Sequence, residues 1–397
     1  MNILFISNNP FNPALGGIER VTDTLAKELL KRGHHVFYLC EKVSTEYINI
    51  LDYDFPAKLF LLPESGLLEN NTNLQFYKQL QTKLNIDIVI NQRGLGGWFN
   101  EFLYNTSSKV ISVIHSVPDS AVKQLLKTLY EQSKPPLLRF KKIVKKTFSF
   151  IFIIYWSKRL KSELEASYEN LAHYSDAIVT LSNPDIDILK TYVSPIWKHK
   201  ILSIGNPNSY ISPTLKCLSD KKKIILYVGR LTEFEKAPMR ILYIWKSLIQ
   251  KYSDWQLKVV GDGPDKSMME EYVKKHNLIN VCFEGQKKDI TSYYKEASFV
   301  CLTSNFEGWG MSLTEGMQYG CIPFTFNNYG AASDIIDDNI NGCLIKPFDL
   351  KQYAARLAEL MEDKSKREMI AKASYEKVEE FSAKNIVDKW EKLFNQL

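Results

Sequence analysis

Short, wholly apolar runs alternate with amphipathic stretches along nearly the whole chain, and this alternation most constrains what it can fold into. "NILFIS" opens it. "GGIERVTDTLAKELLKRG" follows, with Ile18, Val21, Leu25 and Leu29 at helical spacing and Gly33 as a stop. "HVFYLC", "IDIVINQ", "KVISVIHS" and "AIVTLSN" come next, with helical stretches between most of them. Strands apolar on both faces belong to a parallel sheet covered by helices on each side. A second series of the same kind begins at "KKIILYVGR" and runs through "QLKVVGD", "INVCFEG", "ASFVCLTS", "IPFTFNN" and "GCLIKP". With 397 residues, two domains are expected. The polar, turn-rich stretch 205–222 reads as their linker. The expected fold is therefore α/β, two doubly wound, Rossmann-like domains facing across a cleft. The expected boundaries are 1–205, 206–380, and a C-terminal helix 381–397 packing back on the first domain.

The balance of 51 basic against 45 acidic residues leaves a net charge of +6. That is weaker than nucleic-acid binders show, and suits a protein that meets phosphates or acidic lipid. The N-terminus enters a strand without a basic leader or cleavage site, so no secretory signal is expected and a cytoplasmic location is. Asn-x-Ser/Thr matches at Asn70 and Asn105 carry no weight without secretion. Cys40, Cys217, Cys282, Cys301, Cys321 and Cys343 show no CxxC pairing and mostly sit in apolar runs, as reduced core residues do.

Ligands of doubly wound sheets bind beyond the carboxyl ends of the strands. "FEGWGMSLTEGMQYG" (306–320) lies there, past "SFVCLTS". It reads as a loop carrying Glu307, then a short helix begun by a glycine and stopped by Gly320. The N–H groups of Met311 and Ser312 at that helix start make an anion site suited to phosphate. Glu315, about one turn in, can accept two hydrogen bonds from a ribose diol, and Glu307 can meet a second polyol. The same spacing would also arise from a solvated loop acid and a helix-surface acid. "YVGRLTEFEK" places Arg230 at another strand's carboxyl end and Lys236 in the loop after it. A guanidinium and an ammonium there can neutralise a departing diphosphate without a metal; a plain surface pair is the alternative. Gly16 and Gly17 follow the first strand, where backbone can approach a phosphate. His115 ends "KVISVIHS", placed to hydrogen-bond a sugar hydroxyl or simply to finish a strand.

This combination resembles a retaining glycosyltransferase of the GT-B fold, glycosyltransferase family 4. Residues 307–315 are similar to that family's E-x7-E element and "GRLTEFEK" to its arginine–lysine clamp. "GDGP" (Gly261–Pro264), "NGCLIKP" and the Gly-Gly loop stand in the family's order. The resemblance spans nearly the whole chain and is most specific over 223–347. It implies that Arg230 and Lys236 hold the donor diphosphate, Glu315 the ribose and Glu307 the donor sugar. It also implies that His115 sits near the reacting centre, Gln286 beside the base, and Gly263 in the donor site. Gly316, Pro238 and Trp309 depart from the usual pattern; none removes a functional group, and Trp309 alters the sugar pocket.

The expected substrates are a UDP- or GDP-linked sugar and a glycan or lipid-linked acceptor, with no cofactor, no metal and no nucleic acid. A sugar-nucleotide epimerase, or a binding module without turnover, would use the same cleft. The pairs Asp52/Asp54 and Asp185/Asp187 read as structural rather than metal-binding, the second because it opens a helix. An oxidoreductase would need G-x-G-x-x-G, which "GDGPDK" lacks. Finally, "RFKKIVKKTFSFIFIIYWSKRLK" (139–161) holds eight basic residues and no acid around "FSFIFIIYW". That centre is too short to span a bilayer. It suits either a helix lying on an anionic membrane surface or one packed into the domain.

Overall fold

The computed structural model describes residues 1–41, 51–64, 71–95, 107–124, 142–210 and 221–397, with side chains of the helix beginning at 142 described from 155 onward. The expected linker core 211–220, Asn70, Asn105, Cys217, Arg139 and Lys141 lie outside these residues, as do the side chains of Lys142, Lys145 and Lys146.

Thirteen strands among the described residues form two parallel sheets. The first comprises β1 (Asn2–Ser7), β2 (His35–Cys40), β3 (Lys58–Leu61), β4 (Ile88–Asn91), β5 (Lys109–Ile114), β6 (Ala177–Thr180) and β7 (Ile201–Ser203), in the order β3-β2-β1-β4-β5-β6-β7. The second comprises β8 (Lys222–Val228), β9 (Gln256–Val260), β10 (Val281–Gly285), β11 (Ala297–Cys301), β12 (Ile322–Phe326) and β13 (Cys343–Ile345), in the order β10-β9-β8-β11-β12-β13. The strand order therefore reverses between β1 and β4 and again between β8 and β11. At such switch points neighbouring loops diverge and leave a crevice. The fold is the two-domain GT-B arrangement. Its sequence pattern anticipated all these strands except β3 and β7, both short edge strands.

The apolar runs are apolar because both faces are covered. In β1, Ile3 and Phe5 pack in one cluster and Leu4 and Ile6 in another. In β8, Ile224 and Leu226 face one way, Ile225 and Tyr227 the other. The first domain's helices are α1 (Gly17–Lys31), α2 (Asn71–Leu84), α3 (Lys142–Tyr174) and α4 (Asn183–Leu189). The second series contributes α5 (Met239–Leu248), α6 (Lys266–Lys275), α7 (Thr291–Glu296), α8 (Met311–Gln318), α9 (Gly330–Ile335), α10 (Leu350–Glu362) and α11 (Lys364–Lys377). The last helix, α12 (Ala383–Phe394), lies on α1: Trp390 and Phe394 join the cluster of Val21 and Leu25. Arg32 of the first domain bonds both Asp388 and Glu391 at 2.6 Å.

Elsewhere the domains touch through α4 and α9, where the Asn183 amide donates to Asp334 at 2.8 Å. Asp185 caps α4 with Ser182 and is buried, and Asp52 and Asp54 are exposed. Cys40, Cys301, Cys321 and Cys343 are buried free thiols and Cys282 is half-buried. No described helix is long and apolar enough to cross a membrane.

Candidate functional site

A cavity of about 660 Å³ lies between the two sheets' carboxyl ends. Gly16, Gly17, Arg20 and His115 line it from the first domain; Arg230, Lys236, Gln286, Glu307, Met311, Ser312 and Glu315 line it from the second. Ten of the eleven residues singled out from sequence thus meet in one space. Gly263 does not. A Cβ there would stand 2.4 Å from the Leu231 carbonyl, so this glycine lets the β9 loop pack on the β8 loop, and its neighbours Gly261 and Asp262 reach the cavity instead.

The clamp loop after β8 is held from several directions. Leu231 donates to the Asp262 carbonyl at 2.9 Å and Glu233 to Asp265 at 2.7 Å. Lys236 and Ala237 both donate to the Thr232 carbonyl, closing a tight turn. Ala237 adopts φ 43°, a left-handed conformation costly for a side chain, at zero exposure. Its carbonyl accepts from Thr303, so packing enforces the turn that aims Lys236. Asn305 bonds the carbonyls of Glu233 and Phe234, and Arg240 bonds Asn305 at 2.7 Å and the Thr303 carbonyl at 2.9 Å. These bonds tie the loop bearing Lys236 to the loop bearing Glu307.

Lys236 and Glu307 form an ion pair of 2.6 Å, and Ser304 donates to the same carboxylate oxygen at 2.7 Å. The cation and the acid assigned to different parts of one ligand therefore neutralise each other here. Arg230 is exposed in the cavity wall. α8 starts at Gly310, whose φ of 91° only glycine adopts readily, and its first residues face the cavity. The α1 N-terminus at Gly17 faces the same cavity from the other domain, with Met311 3.9 Å from where a Gly17 Cβ would stand.

Glu315 is 1% exposed, so it is not a helix-surface acid. One carboxylate oxygen accepts from Arg20 at 2.8 Å and the other from Tyr294 at 2.9 Å. His115 is hydrogen-bonded to Gln92, and burial pushes its imidazole down to about 4, so it is neutral at pH 7. A Cβ on Gly308 would stand 1.9 Å from the His115 carbonyl, so the Glu307 loop abuts His115 across the domain boundary. Trp309 is buried, packed edge-on against Phe381 and into the space a Gly205 side chain would need. It lines the cavity while wedging the two domains together.

Sequence reasoning missed Arg20, Tyr294, Arg240 and Asn305. Arg20 had a legible signal: it lies three residues past Gly17 and one position round the helix from Glu19, which is buried. Tyr294 had none, being one aromatic in a short helix.

The C-terminal half matches the family model for glycosyl transferases group 1 over 216–377, and the N-terminal half matches Glycosyltransferase Family 4 over 15–206. The chain is a family 4-like glycosyltransferase of the GT-B fold. An uncharacterized glycosyltransferase of Haemophilus influenzae is 25% identical over 392 residues, 94% of this chain and 95% of that one. The amylovoran biosynthesis glycosyltransferase AmsD of Erwinia amylovora is 29% identical over 44% of this chain, which spans about half (49%) of that relative. Among solved structures, Anabaena HepE in complex with UDP and glucose is similar at TM-score 0.72 and 15% identity, covering 100% of both chains. Among the described residues, no group of three or more His, Cys, Asp or Glu is placed to hold a metal.

Proposed function

We propose that this glycosyltransferase moves a sugar from a UDP- or GDP-linked donor to a glycan or lipid-linked acceptor, retaining the anomeric configuration. The process it would serve is the synthesis of a cell-surface polysaccharide or glycolipid. The observation that carries the reading is the convergence of Arg230, Lys236, the α8 N-terminus and Glu315 on one interdomain cavity. A dinucleotide-sized anion would lay its diphosphate on the cations and the helix N–H groups, with its ribose on Glu315. Gln286 would stand beside the base. UDP in the HepE complex and the role in AmsD's name support the donor and the process.

As the sugar–phosphate bond breaks, charge builds on the diphosphate. Arg230 and Lys236 stabilise it there without a metal ion. The Glu307–Lys236 pair must open or be shared for this, which sets the sugar beside Glu307. His115, neutral, donates or accepts one hydrogen bond near the reacting carbon but does not act as a cation. The acceptor hydroxyl attacks from the face the diphosphate leaves, and the phosphate takes its proton.

The acceptor reading adds a cytoplasmic membrane surface met through 139–161. Its described end carries exposed Lys158, Arg159 and Lys161, with Tyr155 59% exposed. Part of that charge is spent on Glu163 and Glu165. Binding to anionic vesicles at low salt, lost on changing Lys158, Arg159 and Lys161 to Gln, tests it; no binding contradicts it.

A panel of UDP- and GDP-sugars tests the main reading. Nucleotide release that requires an acceptor, with an axial product anomer from an axial donor by NMR, is expected. Acceptor-independent conversion of the donor sugar would mean an epimerase, and no turnover a binding module.

A further inference from the structure

Glu315, the acid read as the ribose ligand, is held in place by the opposite domain. Its helix α8 belongs to the second sheet, but the cation paired with it at 2.8 Å is Arg20, on α1 of the first. The titratable groups facing this carboxylate among the described residues are Arg20 from α1, Tyr294 from α7, Tyr210 ahead of β8 and Tyr319 just past α8. Three of the four are neutral at pH 7. Arg20 is the one that supplies charge. The Glu315 side chain is 2% exposed while that of Arg20 is 32% exposed and lines the cavity, so the carboxylate depends on this partner more than on water. Burial opposes the Arg20 charge, but the Glu315 charge and hydrogen bond outweigh it and leave the guanidinium raised.

Resting on the donor reading above, we propose that Arg20 is a positioning residue: it holds the Glu315 carboxylate turned for the ribose hydroxyls, and so makes donor affinity depend on contact between the two domains. A carboxylate accepts from about four directions. Arg20 and Tyr294 occupy two, one on each oxygen, which leaves one lone pair on each oxygen for a cis-diol. Without Arg20, one carboxylate oxygen would lose its partner, and the buried group would be free to turn away from the ribose. When the domains part, the same loss occurs, so an open cleft would hold the nucleotide weakly.

The test is calorimetric titration with UDP and with GDP on wild type, R20K, R20M, E315Q and R20M/E315Q at one fixed pH. R20M is expected to bind about tenfold more weakly than wild type, and R20K to restore most of the affinity. R20M can fail to fold, since it bares a buried charge; the double variant removes both charges and carries the test alone. If Arg20 acts through Glu315, R20M/E315Q binds as E315Q does, within about twofold. A further tenfold loss in the double variant, or R20K binding as weakly as R20M, would overturn the proposal. If wild type binds neither diphosphate, the donor reading fails and this proposal falls with it.

Discussion

On the C-terminal wall of the cleft, Arg230, Lys236, Glu307 and Glu315 stand on loops and a helix start laced together by Arg240, Asn305, Ser304 and Thr303. The N-terminal wall instead presents Gly16, Gly17, Arg20 and His115, placed by a helix start and a strand end and touching the other domain directly. The first wall is built to hold charge in fixed positions. The second supplies close backbone approach, one neutral imidazole and one cation that completes a group on its neighbour. On the proposed reading, the donor diphosphate lies on the first wall and the acceptor meets the second.

The sharpest way to break this contrast is to remove a cation from the rigid wall. Arg230→Ala and Lys236→Ala should each cost roughly 3–4 kcal/mol in the transfer barrier, seen in kcat, with folding intact. Near-normal turnover in both would remove the distinction. Gly308→Ala tests the seam itself. Its Cβ would collide with the His115 carbonyl, so the domains must separate slightly. A misplacement near 1 Å costs about 10²-fold in rate; single-turnover kinetics should show it, with a smaller loss of bare-nucleotide affinity from the loosened Arg20–Glu315 contact.

The two acids sharpen the contrast further. Glu315→Gln should weaken UDP or GDP by roughly 1.5–3 kcal/mol, since it loses a charged acceptor. Glu307→Gln should leave that affinity unchanged or raise it, because it frees Lys236 from a 2.6 Å ion pair, while lowering turnover of the full donor. Calorimetry on both variants checks this, and equal losses would contradict it. The smallest effect lies at the α4–α9 contact. Burial pushes Asp185 up to about 6, and one of its oxygens has no hydrogen-bond partner among the described residues. Above pH 6 its charge opposes the folded form, and that penalty fades as pH falls toward 3.8. Asp185→Asn should therefore gain about 1 kcal/mol at pH 8 and nothing near pH 4, read from thermal unfolding.

Much of this was legible because the parallel-sheet strands are apolar on both faces and the site loops follow them directly. Glu307, Glu315, Arg230 and Lys236 could be placed at strand ends from the pattern alone. At Gly263 the structure shows close packing on the Leu231 carbonyl, and a glycine required by loop packing looks the same in sequence as one required by a ligand. The Lys236–Glu307 pairing and the Arg20–Glu315 contact were not legible. The first joins residues 71 positions apart and the second residues 295 apart, and neither partner carries a periodic signal. Nor did the sequence foretell that Trp309 would act as an interdomain wedge, since that depends on the absent side chain of Gly205.

The central claim is that one interdomain cavity holds a nucleoside diphosphate, phosphates on Arg230 and Lys236 and ribose on Glu315. Titrating UDP and GDP into wild type, Arg230→Ala and Glu315→Gln addresses it most directly. One of the two nucleotides should bind wild type with one-to-one stoichiometry and lose at least about tenfold in each variant. Failure of both to bind wild type, or binding undiminished in both variants, would contradict it.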